Sequence, residues 1–123
     1  MERAGSRYWA GVGCLRRAAP AAALAHFERA LALDSAHAPA AIAAATAALQ
    51  LGRPGPALDF ARRALQGEQP ARPAALFLAG VASWWLGQTD EAGRFLERAA
   101  ALEPGNAEFQ ATLRSFKTGT LSR

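Results

Sequence analysis

Residues 92–100 read Ala-Gly-Arg-Phe-Leu-Glu-Arg-Ala-Ala, and the same design stands at 57–65 (Ala-Leu-Asp-Phe-Ala-Arg-Arg-Ala-Leu) and at 23–31 (Ala-Leu-Ala-His-Phe-Glu-Arg-Ala-Leu). The leading alanines, Ala23, Ala57 and Ala92, lie 34 and then 35 residues apart. In each copy, small residues and an aromatic share one helical face and charges occupy the other, as in an amphipathic helix. A period of this length is one supersecondary unit repeated, and such a unit buries its apolar face only by stacking on its neighbours.

Working outward, Leu33 to Ala38 matches Leu102 to Ala107, each marking the end of one helix and the start of the next. The middle link, Gly67 to Ala74, is looser and carries one extra residue. A further helix precedes each copy. Two of these end in Leu51-Gly52 and Leu86-Gly87, where glycine takes the left-handed conformation that closes a helix. Pro20 and Pro54 or Pro56 suit a first turn, Thr89 is expected to cap, and Asp90 and Glu91 complement the helix dipole. The reading is all-α, with helices near 5–17, 20–33, 38–51, 54–66, 73–86, 89–102 and 105–117. One domain spans 1–117, with units at about 5–37, 38–72 and 73–106, a closing helix at 107–117 and a flexible tail at 118–123. In the closing helix Phe109, Leu113 and Phe116 are expected to face inward.

The period, the helix pairs and the small-residue positions resemble the tetratricopeptide repeat. The third copy carries the resemblance most fully: Leu76-x2-Ala79-Gly80-x2-Ser83, then Ala92-x3-Leu96, then Pro104. The first reads Arg7-x2-Ala10-Gly11-x2-Cys14 and Ala23-x3-Phe27, with Ser35 in place of the proline. The second, Ala41-x2-Ala44-Ala45-x2-Ala48 with Ala57-x3-Ala61, is almost entirely alanine. The resemblance implies a short right-handed α-solenoid of antiparallel helix pairs, about seven helices in all. Ala10, Gly11, Ala23 and Ala30, and their counterparts Ala79, Gly80, Ala92 and Ala99, would let paired helices approach closely.

It also implies a concave surface lined by the first helix of each pair. The family's groove positions fall on Tyr8, Val12, Leu15 and Arg16 in the first unit, on Ile42, Thr46, Leu49 and Gln50 in the second, and on Phe77, Val81, Trp84 and Trp85 in the third. Such a surface is apolar and aromatic with a few polar edges, and fits a helix or an extended hydrophobic segment. Members of the family that grip the C-terminal carboxylates of chaperones use Lys, Asn and Arg on these helices. Here Tyr8, Val12, Pro39 and Ala43 stand at the matching places, which argues against that mode. Trp84 and Trp85 point about 100° apart on a helix, so either one packs between helices while the other stands in the groove, or both are consumed by packing against neighbours or a second copy. Trp9, beside Tyr8, is expected in the core.

The rest of the composition narrows the function. Hydrophobic residues make up 51% of the 123, but alanine dominates, giving strong helix propensity and a thin core. The net charge is +4, with acids beside bases at Glu28-Arg29, Asp59 with Arg62, and Glu97-Arg98. That patterning is a solvated helix face, not the dense basic stripe of a nucleic-acid binder. No apolar run reaches the ~18 residues a membrane span needs. Met1 to Leu15 has too short an apolar stretch for an export signal, and a cytoplasmic location is expected.

The single cysteine, Cys14, excludes an internal disulfide framework and sits at a small-residue packing position. His26 and His37 lack a second ligand at metal spacing. No nucleophile has a visible base, and no glycine-rich phosphate loop follows a strand. The expectation is a non-enzymatic protein-binding module with no cofactor and no metal, whose partner is another protein. The alternatives are a structural subunit that pairs as a homodimer, or a small bacterial chaperone for a secreted or assembled subunit.

Overall fold

The computed structural model describes residues 2–66 and 72–121. Within them lie seven α-helices and no strand: α1 Ala4–Arg16, α2 Pro20–Leu33, α3 Ala38–Gln50, α4 Pro54–Leu65, α5 Arg72–Trp85, α6 Thr89–Leu102 and α7 Ala107–Thr118. Most of the looser link at Gly67 to Ala74 falls outside the described residues.

The helix ends follow from local chemistry. Pro20 opens α2 and Pro54 opens α4, where a missing N–H costs no helical bond. His37 caps α3 by accepting from the Ala40 amide at 3.1 Å, and Asn106 caps α7 by accepting from the Phe109 amide at 3.1 Å. Thr89 does not cap. Gln88 holds the N-cap position without a side-chain bond, and Thr89 is already the first helical residue. Gly52 and Gly87 take positive φ, at 72° and 80°. One full repeat upstream, Ala18 takes the same conformation at φ 57°. All three turns share one bonding pattern: Ala19 N to Cys14 O, Arg53 N to Ala48 O and Gln88 N to Ser83 O, each 2.9 Å. At the C-terminus, where fraying is expected, the amides of Thr120 and Leu121 donate to Ser115 O at 2.8 and 3.1 Å, around Gly119 at φ 75°.

Each helix packs on the next in sequence. In addition α1 approaches α3 and α3 approaches α5, whereas the even-numbered helices stand further apart. The array therefore bends towards the odd-numbered helices, which line its concave side. Alanine makes this spacing available. Ala23, Ala44, Ala57, Ala79, Ala92 and Ala99 are all fully buried. Glycine does so at the tightest crossings. A Cβ on Gly11 would lie 2.4 Å from the Phe27 ring, and one on Gly80 would lie 2.8 Å from Leu96. Phe27, Leu76 and Leu96 are the large side chains that fill the narrow core. Cys14 is buried, as its packing position implies.

Two packing expectations fail. Ala10 is exposed, because on α1 the crossing is made one residue later, by Gly11. Trp9 is 65% exposed, with its ring against the edge of Tyr8 at 5.1 Å. Two ion pairs join parts of the chain far apart in sequence: Arg62 of α4 with Glu91 of α6 at 3.3 Å, and Arg29 of α2 with Glu2, just before α1, at 2.9 Å.

Candidate peptide-binding groove

On the side of the odd-numbered helices a cavity of about 480 Å³ opens between α1 and α3. From α1 it is lined by Tyr8, Val12 and Leu15, one residue per turn at three- and four-residue spacing. From α3 come Pro39, Ile42, Ala43 and Thr46, and from α5 Ala74. None of these side chains is charged. Each half-buried residue of the set keeps one side in the core and the other towards the cavity.

Tyr8 is held from three directions. Its ring lies 6.0 Å from Phe27 beneath it, 5.1 Å from Trp9 and 5.4 Å from His37. His37 is in turn fixed by its cap bond to Ala40, which places the ring proton of the neutral form on Nε2. Thr46 donates its hydroxyl to Ile42 O at 3.1 Å, so what it offers the cavity is a methyl group and an oxygen acceptor.

Of the twelve groove positions expected, the cavity gathers Tyr8, Val12, Leu15, Ile42 and Thr46. Arg16 and Gln50 are exposed at the C-terminal ends of α1 and α3, beyond its rim. In the third unit α7 takes up the aromatics. Phe77 stacks on Phe109 with ring centroids 4.7 Å apart, and Trp84 meets the edge of Phe116 at 5.6 Å. Val81 and Trp85 are half-buried on α5 outside the cavity lining. Both tryptophans are half-buried. Ala74 and His37 were not expected at the site. His37 could have been found from its place three residues before a helical amide, but Ala74 follows from the packing of α5 alone.

The helix order and spacing match known structures. The first tetratricopeptide domain of Spaghetti (RPAP3), bound to the HSP90 peptide SRMEEVD, matches with a TM-score of 0.88 at 21% identity, over 98% of this chain and 94% of that one. The second such domain of human RPAP3, in complex with the HSP70 peptide SGPTIEEVD, matches with a TM-score of 0.86 at 26% identity, over 93% and 94%. The Arabidopsis OM64 domain matches with a TM-score of 0.87 at 20% identity, over 94% of each chain.

The fold is that of a tetratricopeptide repeat domain.

No family profile matches the chain, and no curated protein matches it in sequence. The second repeat accounts for part of that: its signature positions hold alanine, which preserves the spacing of the helices and erases the residue pattern. Among the described residues of this tetratricopeptide domain, no helix is long and apolar enough to cross a membrane. No three His, Cys, Asp or Glu side chains among them are placed to hold a metal ion.

Proposed function

We propose that the concave face of this domain binds a short apolar segment of a partner protein, seated between α1 and α3 on Tyr8, Val12, Ile42 and Thr46. The observation that carries the reading is the lining itself: a pre-formed cavity of about 480 Å³ without a charged side chain. The two RPAP3 domains of the same fold hold peptides ending in Glu-Glu-Val-Asp. Those peptides need cations for their carboxylates. The positions matching the family's carboxylate-gripping cluster are Tyr8, Val12, Pro39 and Ala43 here, and a buried carboxylate without a partner is strongly disfavoured. The supported reading is therefore peptide binding of the same broad kind with a different guest, one that buries aliphatic or aromatic side chains. A chaperone for an apolar helix of another subunit would use the same groove.

The test begins with affinity capture and mass spectrometry to find the partner, then titration of its apolar segment. Wild-type protein should bind it, and Val12→Lys or Ile42→Asp should weaken binding about tenfold or more while the helical circular dichroism is retained. Equal affinity in the folded variants would overturn the reading.

Pairing of two copies is the second reading, and the exposed ring of Trp9 at the open end of the array is what favours it. Light scattering across a dilution series separates the two, because a persistent dimer lost on Trp9→Ala supports pairing.

A further inference from the structure

The opposite face, built from α2, α4 and α6, carries a second repeated feature. Each helix presents a ring and, three residues on, an arginine: His26 with Arg29, Phe60 with Arg63, Phe95 with Arg98. Residues three apart lie side by side on a helix. All three arginines are exposed, and Phe60 and Phe95 are half-buried beneath them. Between α4 and α6, the side chains of Arg62, Arg94 and Arg98 surround a cavity of about 330 Å³ with Phe95 and Glu91. A second hollow of about 600 Å³, between α4 and the turn before α6, shares Arg62 and adds Asp59, Phe60 and Arg63. Arg62 is already paired with Glu91 at 3.3 Å. Arg63, Arg94 and Arg98 form no ion pair among the described residues.

At the first ring-and-arginine pair, the structure shows what covers such an arginine. Glu2 Oε2 accepts from Arg29 Nε at 3.1 Å and from Arg29 Nη2 at 2.9 Å, and the other oxygen of Glu2 accepts from Arg7. The guanidinium groups of Arg29 and Arg7 hold this carboxyl below the ordinary range. Two further guanidinium sites of the same face stand open at one-repeat spacing.

We propose that Arg63, Arg94 and Arg98 bind an acidic segment of a partner protein, its carboxylates seated as Glu2 is on Arg29, with one apolar residue against Phe95. The choice of a peptide over nucleic acid follows from Asp59, Glu91 and Glu97, which interrupt the positive surface. A phosphate backbone needs a continuous one, whereas carboxylates spaced along a peptide can step over the acids. This site is separate from the concave groove and does not depend on it.

The experiment is a fluorescence-anisotropy titration at low salt, with a short labelled peptide of Asp and Glu residues around one central Leu. Saturable binding that weakens steeply with added salt is expected. Arg94→Ala with Arg98→Ala should lower the affinity about tenfold, since hydrogen bonds to charged partners are being removed. Ser6→Ala, at an exposed position on α1, should leave it unchanged. Four results overturn the proposal: no saturable binding, no loss in the folded double variant, an equal loss in Ser6→Ala, or a single-stranded oligonucleotide bound as tightly as the peptide.

Discussion

Gly11 on α1 faces the Phe27 ring on α2 so closely that a methyl group at Gly11 would lie 2.4 Å from a ring carbon. Phe27 is fully buried and cannot swing aside, so this contact sets the spacing of the first helix pair. Gly80 and Leu96 repeat the relationship in the third pair.

Gly11→Ala should therefore destabilise the domain by about 1–3 kcal/mol, the usual cost of overpacking a filled core. Gly13→Ala, two residues along the same helix, meets only the tip of Arg17 at 3.6 Å. It should stabilise by about 0.5–1 kcal/mol through helix propensity. Urea unfolding of both variants checks the pair. Equal effects at the two positions would contradict close helix approach as the reason for the glycine.

Ala18 occupies the left-handed turn position that glycine fills at Gly52 and Gly87. A side chain in that conformation costs about 1 kcal/mol, which glycine avoids. Ala18→Gly should raise the urea midpoint, with a gain of about 1 kcal/mol. A fall in stability would show that the turn after α1 relies on the Ala18 methyl group.

Phe109 anchors α7 by stacking on Phe77 and is only 6% exposed. Phe109→Ala should cost about 3–5 kcal/mol, a large part of the total stability of so small a domain. Thermal unfolding followed by far-ultraviolet circular dichroism measures it. Loss of α7 alone would instead appear as a small early step before the main transition.

Glu2 joins α1 to α2 through Arg29 and Arg7, which lower its carboxyl pKa from the model-compound value of 4.5. The folded value is the depressed one, so its contribution is present above the unfolded pKa. It is lost as pH falls through the folded pKa. Glu2→Gln should lower the melting temperature at neutral pH and leave it unchanged in strong acid, where wild-type Glu2 is also protonated. A deficit that persists in acid would place the role of Glu2 in packing rather than charge.

How much of this was legible in the sequence depends on whether a feature repeats. The helix pairs, the glycine turns at Gly52 and Gly87 and the close approach at Gly11 and Gly80 all recur at the 34- and 35-residue spacing, so they could be read directly. The exposure of Trp9 could not, because no pattern in its own helix marks which ring of the Tyr8-Trp9 pair packs on Phe27. Phe77 and Trp84 were placed in the groove by their position in the repeat, yet the two phenylalanines of α7 reach them first. The ion pairs of Arg62 with Glu91 and of Arg29 with Glu2 join residues nearly thirty positions apart, and only the fold brings them together. Ala74 reaches the cavity by helix stacking, a relation that a local pattern does not encode.

The measurement that bears most directly on the account is an amide NMR titration of the domain with the apolar segment of its captured partner. Binding between α1 and α3 should concentrate the shift changes at Tyr8, Val12, Ile42, Ala43 and Thr46, and leave α6 nearly still. Changes gathered on α2, α4 and α6, with α1 and α3 unmoved, would contradict it.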